Sequence, residues 1–277
     1  MSKGWRFLGN EREYVDEVLT SGFGASESGS MNERLEKKFA DLHKKKFAIS
    51  ANSGTSTLHM ALNAFGVRPG DEVIIPALTV AMPGFAVWQC GAIPVFADVL
   101  EDTFLMNPDD VRKKINSKTK AIMPVHMYGN MCNMDSIMKL ANEHKLFVLE
   151  DCAESLYASN DKDQKAGTIG HVGSWSFENS KHLSTGDGGI VATNDEELAT
   201  KMRQFGGVGF KNITAKTGKV RISRDQFQDP KYERHNMFAY NYRLPELCAA
   251  IGLAQCERLS YFVELRELMG QSYLNTI

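Results

Sequence analysis

The sequence predicts an α/β fold: a three-layer sandwich in which a mostly parallel, seven-stranded sheet lies between helices. Two observations carry this. Seven short, β-rich apolar runs alternate with longer stretches of helical period, and that alternation builds parallel sheets covered by helices. The runs FVLE and AIMPV are almost continuously apolar, as strands buried on both faces are. Length agrees. A chain of 277 residues, 43% hydrophobic and 24% charged, has the composition of a globular protein. At that size it buries roughly three-quarters of its unfolded surface, in one large domain or two modest ones.

In chain order, strands are expected at 47–51, 73–76, 94–97, 121–125, 147–150, 174–177 and 189–192. Helices are expected near 55–66, 79–90, 108–117, 133–145 and 195–205. Residues 208–238 are polar and without a clean period, and read as a long surface loop of the kind that often serves function. From Leu244 to Met269 the helical period returns, with Leu247, Ile251, Leu259, Phe262 and Leu268 among its apolar positions. That helix is expected to expose apolar faces at Leu259, Phe262 and Leu268.

Charge and cysteine content exclude several functions. Lys plus Arg is 32 and Asp plus Glu is 34, a net charge of -2, without the basic excess or stripe of a nucleic-acid binder. The longest basic run, Lys44-Lys45-Lys46, reads as a solvated helix end. Five cysteines at 90, 132, 152, 248 and 256 contain no Cys-x-x-Cys pair. Neither a disulfide framework nor a metal site is expected, and a reducing, cytoplasmic setting suits them. The first residues have no apolar core of a signal peptide. No apolar stretch approaches the roughly 18 residues of a membrane span.

Three clusters carry chemistry, each expected just after a strand and so on the edge where such sheets bind ligands. Asn52-Ser53-Gly54-Thr55-Ser56 precedes a helix. It is either a phosphate site, from free N–H groups and the helix dipole, or a plain N-cap. Asp151 ends a buried strand and faces the ligand crevice, where it could pair with a protonated ring nitrogen, a metal or a helix N-terminus. Lys181 follows the strand ending near Phe177 and precedes the glycine-rich return Gly186-Asp187-Gly188-Gly189. A lone Lys is commonly a solvated charge. In this small, apolar, Gly-rich context its ammonium can be desolvated, as a Schiff-base lysine requires. His182 beside it reads as held by local packing. Taken together, a phosphate cradle, an Asp for a pyridinium nitrogen and an imine-forming Lys describe pyridoxal phosphate.

With those residues in place, the chain resembles the DegT-type nucleotide-sugar aminotransferases, PLP-dependent enzymes of fold type I. The matching segments include Leu8–Glu11, Ser53–Thr55, 69–76, 124–129, Glu150-Asp151, 176–189, 241–246 and 249–252. They cover essentially the whole chain. The resemblance implies a cofactor-binding large domain over residues 1–243. Residues 244–277 would be a connecting helix toward a small C-terminal domain that is absent or truncated here. It implies that Lys181 carries the cofactor and later moves the proton, and that Asp151 pairs with the ring nitrogen. Gly54, Thr55 and Ser176 would hold the phosphate. Ala153 would pack on one ring face, and Glu154 would lie near the ring hydroxyl. Asn241 would reach the phosphate in the neighbouring protomer, which implies a homodimer with shared sites. Val80 stands where many relatives carry a ring-stacking aromatic residue, a departure worth about 0.5–1.5 kcal/mol of affinity.

The implied reaction moves an amino group, from glutamate, onto a nucleotide-linked keto-deoxy sugar for amino-sugar and polysaccharide biosynthesis. The wording of 181–186 favours C4 over C3. No nucleic-acid or membrane partner is implied. A related sugar dehydratase would have His in place of Lys181. A keto-cyclitol aminotransferase and a PLP-binding inactive or regulatory relative stay open.

Overall fold

A computed structural model of the chain describes residues 6–24, 29–218 and 222–276. Residues 219–221 of the 208–238 stretch, and Ile277, lie outside the described residues. The seven strands are β1 (Phe47–Ala51), β2 (Glu72–Pro76), β3 (Ile93–Ala97), β4 (Thr119–Ile122), β5 (Phe147–Asp151), β6 (Val172–Ser176) and β7 (Gly189–Thr193). They form one sheet in the order β1-β7-β6-β5-β4-β2-β3. β7 runs antiparallel to both its neighbours, β1 and β6; the other pairings are parallel. All seven expected strands are present. The fourth stops at Ile122 rather than reaching Val125. Pro124 has no N–H to give a ladder, so it contributes only its carbonyl, which accepts the Asp151 N–H at 2.9 Å.

Period-2 alternation divides the core. Val73, Ile75, Ala121 and Leu149 face one side, against α3 (Gly54–Ala64), α4 (Met82–Gln89) and α7 (Glu196–Gly206). Ile74, Ile122 and Val148 face the other, against α5 (Pro108–Lys114) and α6 (Met134–His144). On that second side Trp175, Phe177 and Ile190 meet α2 (Met31–Leu42) and α9 (Glu246–Glu257). α1 (Glu11–Thr20) packs on α9.

α1 and α2 were not expected. α2 carries a capping box in which Ser30 accepts the Glu33 N–H and Glu33 accepts the Ser30 N–H, a sequence-level start signal. The 208–238 stretch is not wholly irregular: it contains the single-turn-scale helix α8 (Arg224–Gln228), and Phe210 bridges to His235. The last expected helix is two, α9 and α10 (Leu259–Leu274), broken at Arg258. Leu259 and Phe262 turn out to be buried and, of the three, only Leu268 is exposed; the Arg258 guanidinium lies over the Phe262 ring at 5.0 Å. The basic run also departs from expectation. Lys44 and Lys46 are exposed, but Lys45 is half-buried and donates to the Thr168 carbonyl at 2.9 Å. Among the described residues no helix is long and apolar enough to cross a membrane.

Candidate active site

The three clusters meet at the carboxyl edge of the sheet. A cavity of about 190 Å³ is lined by Gly54, Thr55, Val80, Asp151, Ala153 and Ser176, six of the nine expected site residues. Ser53, Leu58, Met82, Ser174, Glu178 and Asp187 also line it.

The phosphate end is built by α3. Ser53 caps the helix, its hydroxyl accepting the Ser56 N–H at 3.1 Å. The N–H groups of Gly54 and Thr55 have no acceptor among the described residues. They and the positive end of the helix dipole therefore face the cavity, as an anion site does. A Cβ on Gly54 would come within 2.8 Å of the Ser176 Cβ, so only glycine lets β6 approach the helix this closely. Ser174, two residues before Ser176, shares its strand face. The Ser174 hydroxyl meets that of Thr57 at 2.7 Å. That two-residue spacing is the signal from which Ser174 could have been read; Leu58, one turn beyond Gly54, is found by the helical period.

At the other end, Asp151 is buried and burial pushes its pKa up to about 6. Its Oδ1 accepts the Ala153 N–H at 3.0 Å, and Oδ2 has no partner among the described residues. Its neighbour Glu150 points the opposite way. Glu150 is fully buried and accepts from Gly167, Ile169 and Gly170 N–H groups at 2.9, 2.8 and 2.5 Å and from His126 Nε2 at 2.9 Å. Burial alone would raise its pKa; those four donors more than offset it and hold it low. The Cys132 N–H points at His126 Nδ1 at 3.1 Å, so the ring proton sits on Nε2 toward Glu150, although the carboxylate draws the imidazole pKa upward. His126, Glu150 and Cys152 place ligand atoms within 4.8 Å of one another. The two ring nitrogens and both carboxylate oxygens already have protein partners, so this cluster anchors β5 instead of offering metal ligands.

Lys181 pairs with Glu154, and its charge acts on Asp151. The apolar surroundings expected for this lysine are replaced by that ion pair, with its side chain 19% exposed. His182 is held near pKa 4 by burial and by Arg266, neutral and packed as expected. Asn241 does not reach this cavity. It is exposed, bridges to Gly207, and lines a separate cleft of about 540 Å³ with Glu36, Arg203 and Tyr242.

Pyridoxal phosphate fits this donor set. An anion cradle, an unpartnered carboxylate oxygen for a protonated ring nitrogen, and an amine paired beside them are its three requirements.

Comparison with known proteins agrees. The chain is 38% identical to GDP-perosamine synthase of Vibrio cholerae, over 96% of this chain and 67% of that protein. It is 40% identical to GDP-perosamine synthase of Caulobacter vibrioides, over 95% and 66%. The solved aminotransferase from Psychrobacter cryohalolentis superposes with a TM-score of 0.79 at 36% identity, over 90% of this chain and 61% of that one. The chain thus spans about two thirds of the length of these relatives. The model of the DegT/DnrJ/EryC1/StrS aminotransferase family matches residues 8–277. A family match across nearly the whole sequence, on a sheet whose carboxyl edge gathers the residues that such chemistry needs, has one meaning: the chain belongs to the DegT/DnrJ/EryC1/StrS aminotransferase family.

Proposed function

We propose that this chain is the cofactor-binding part of a cytoplasmic, PLP-dependent aminotransferase acting on a nucleotide-linked keto-deoxy sugar, with glutamate as donor. The observation that carries the reading is the convergence of Asp151, Ser176 and the α3 N-terminus on one cavity, with Lys181 paired beside it. Relatives that carry the name GDP-perosamine synthase support a nucleotide-linked sugar as the acceptor; amination at C4 rests on the wording of 181–186.

When bound, the cofactor supplies an electron sink for the carbon that loses its proton. The residues of this chain do the rest. Gly54 and Thr55 N–H groups and the Ser176 hydroxyl bind the phosphate. Asp151 holds a proton on the ring nitrogen by charge. Val80 and Ala153 supply apolar contact to the ring. Lys181 Nζ takes the proton and returns it, while Glu154 holds the ammonium between turns.

Borohydride reduction of the reconstituted chain is expected to fix the cofactor on Lys181, read by peptide mass spectrometry. An adduct on another lysine would overturn the assignment. Donor and acceptor are tested by amino transfer from glutamate or glutamine to 4-keto and 3-keto nucleotide sugars, with the 4-keto sugar and glutamate expected to react fastest.

A further inference from the structure

Arg6 lies far from Lys181 in sequence, yet its buried guanidinium grips the backbone around it. It donates to the carbonyls of Asn179 at 2.7 Å, Lys181 at 2.5 Å and His182 at 3.5 Å. A guanidinium fork suits this, since its donors are fixed in one plane and it remains charged. Apart from the Arg6 contacts and the Lys181–Glu154 pair, the backbone ties of the loop run within it or to its own flanking strands: Glu178 bridges to Gly186, and the Thr185 N–H reaches the Phe177 carbonyl at 2.9 Å. The Lys181 N–H reaches the Glu178 carbonyl at 3.0 Å, and the Ser180 N–H and hydroxyl both reach the Glu178 carboxylate.

Arg6 is itself held by α9. Its carbonyl accepts from Gln255 Nε2 at 2.6 Å and from Arg258 Nη1 at 3.4 Å. The same Gln255 nitrogen donates to Glu11 at 2.8 Å, and Glu11 accepts the Gly9 N–H at 2.8 Å. Arg258 also fills the space beside Gly9, where a Cβ would come within 2.8 Å of its Cδ. A continuous polar chain therefore runs from the α9–α10 junction through Arg6 to the lysine loop.

We infer that Arg6 is a positioning residue for Lys181, fixing the loop from behind so that Nζ is presented beside Asp151, and that Gln255 fixes Arg6 in turn. The inference rests on the reading of Lys181 as the cofactor-bearing lysine. Arg6 is not among the residues that line the cavity; its contacts are with the loop carbonyls. Three donor contacts from one charged group justify a local effect, because each charge-assisted bond to a neutral carbonyl is stronger than a neutral one.

The test begins on the protein without cofactor. Hydrogen–deuterium exchange is followed in peptides covering 177–186, and in β5 as a reference for global opening. In Arg6→Gln the loop is expected to exchange about tenfold faster or more, with β5 unchanged. Arg6→Lys, which keeps the charge but loses the fork, is expected to fall between, and Gln255→Met to follow Arg6→Gln in part. Reconstitution gives the second readout. The rate at which borohydride-trappable cofactor attaches to Lys181 should fall about tenfold in Arg6→Gln, as displacement of a reacting group predicts, while inorganic phosphate binding is unchanged. Loop exchange equal to wild type in Arg6→Gln would overturn the inference. So would equal acceleration of β5, which makes Arg6 a general stability residue. Trapping on a lysine other than Lys181 would instead remove the reading on which the inference rests, whatever the exchange shows.

Discussion

Burial of Asp151 at the end of β5 holds a carboxyl group where its charged form is disfavoured, and its pKa rises from 3.8 to about 6. The consequence for stability has a definite sign. Because the folded pKa lies above the unfolded one, the folded protein binds that proton more tightly, and stability falls as pH rises from about 4 to about 6. Above that range the empty protein carries a penalty of about 3 kcal/mol, at 1.36 kcal/mol per pKa unit. Asp151→Asn removes the charge while its side-chain oxygen can still accept the Ala153 N–H. Without cofactor, the variant should therefore be more stable than wild type at pH 7 to 8, with the gain vanishing below about pH 4. Urea denaturation at several pH values measures it, and a pH-independent difference would show that Asp151 is not the group responsible. With cofactor the order reverses in function: an amide cannot hold the ring nitrogen protonated, so transamination should fall severely. A residue whose replacement stabilises the fold and removes the chemistry is the pattern expected where a site is strained for its task. The sequence located Asp151 by its place at a strand end. It could not show Oδ2 without a partner, or Glu150 beside it held by three backbone N–H groups, because those partners come from a turn about 20 residues on.

The elements were legible to different degrees, for physical reasons. Most of the strands are short apolar runs, as burial on both sheet faces favours, and they alternate with helical stretches, so all seven could be read. α1 and α2 were not, because no strand separates them and the alternation that marks the rest of the chain is missing there; the Ser30–Glu33 capping box was the available signal. The break between α9 and α10 has no Gly or Pro to announce it. It is fixed in three dimensions by Arg258, which faces Tyr261, Phe262 and the Arg6 carbonyl. At the site itself, two glycines decide how closely α3, β6 and β7 approach. A Cβ on Gly189 would lie 2.8 Å from the backbone of Ser53 and Gly54, whereas one on Gly54 meets the Ser176 side chain and backbone. Backbone yields less readily than side chain, so Gly189→Ala should destabilise by about 1–3 kcal/mol, the usual cost of overpacking. Gly54→Ala places a better helix former at the first turn, and should lose less stability but more cofactor affinity, as its methyl group intrudes on the cradle. Thermal denaturation and cofactor titration of both variants check this; the reverse order of stabilities would mean that β7 can give way.

For the whole molecule, the position of Asn241 is the informative fact. It is exposed, on a cleft apart from the cavity that gathers six of the other eight candidates. The edge strand β3 leaves Ile93 and Phe96 exposed, and the neighbouring α4 leaves Phe85 and Trp88 exposed. An apolar surface of that kind marks an association face. Both features accord with the homodimer that the resemblance implies, in which Asn241 would complete the partner's site. A mixing experiment tests the arrangement directly. Lys181→Ala lacks the amine, and Asn241→Ala lacks the residue that would cross to the partner. In a hybrid dimer, one site loses both residues, while the other combines Lys181 from one protomer with Asn241 from its partner and is intact. If subunits exchange at random, half of the dimers are hybrids and about one quarter of all sites regain full affinity. Cofactor attachment at limiting concentration should then exceed the mean of the two parent proteins, and the gain should appear only as fast as subunits exchange, which size-exclusion chromatography of a labelled protomer can time. Attachment that stays at the parental mean after exchange is complete would show that each protomer holds its cofactor without Asn241 from the other.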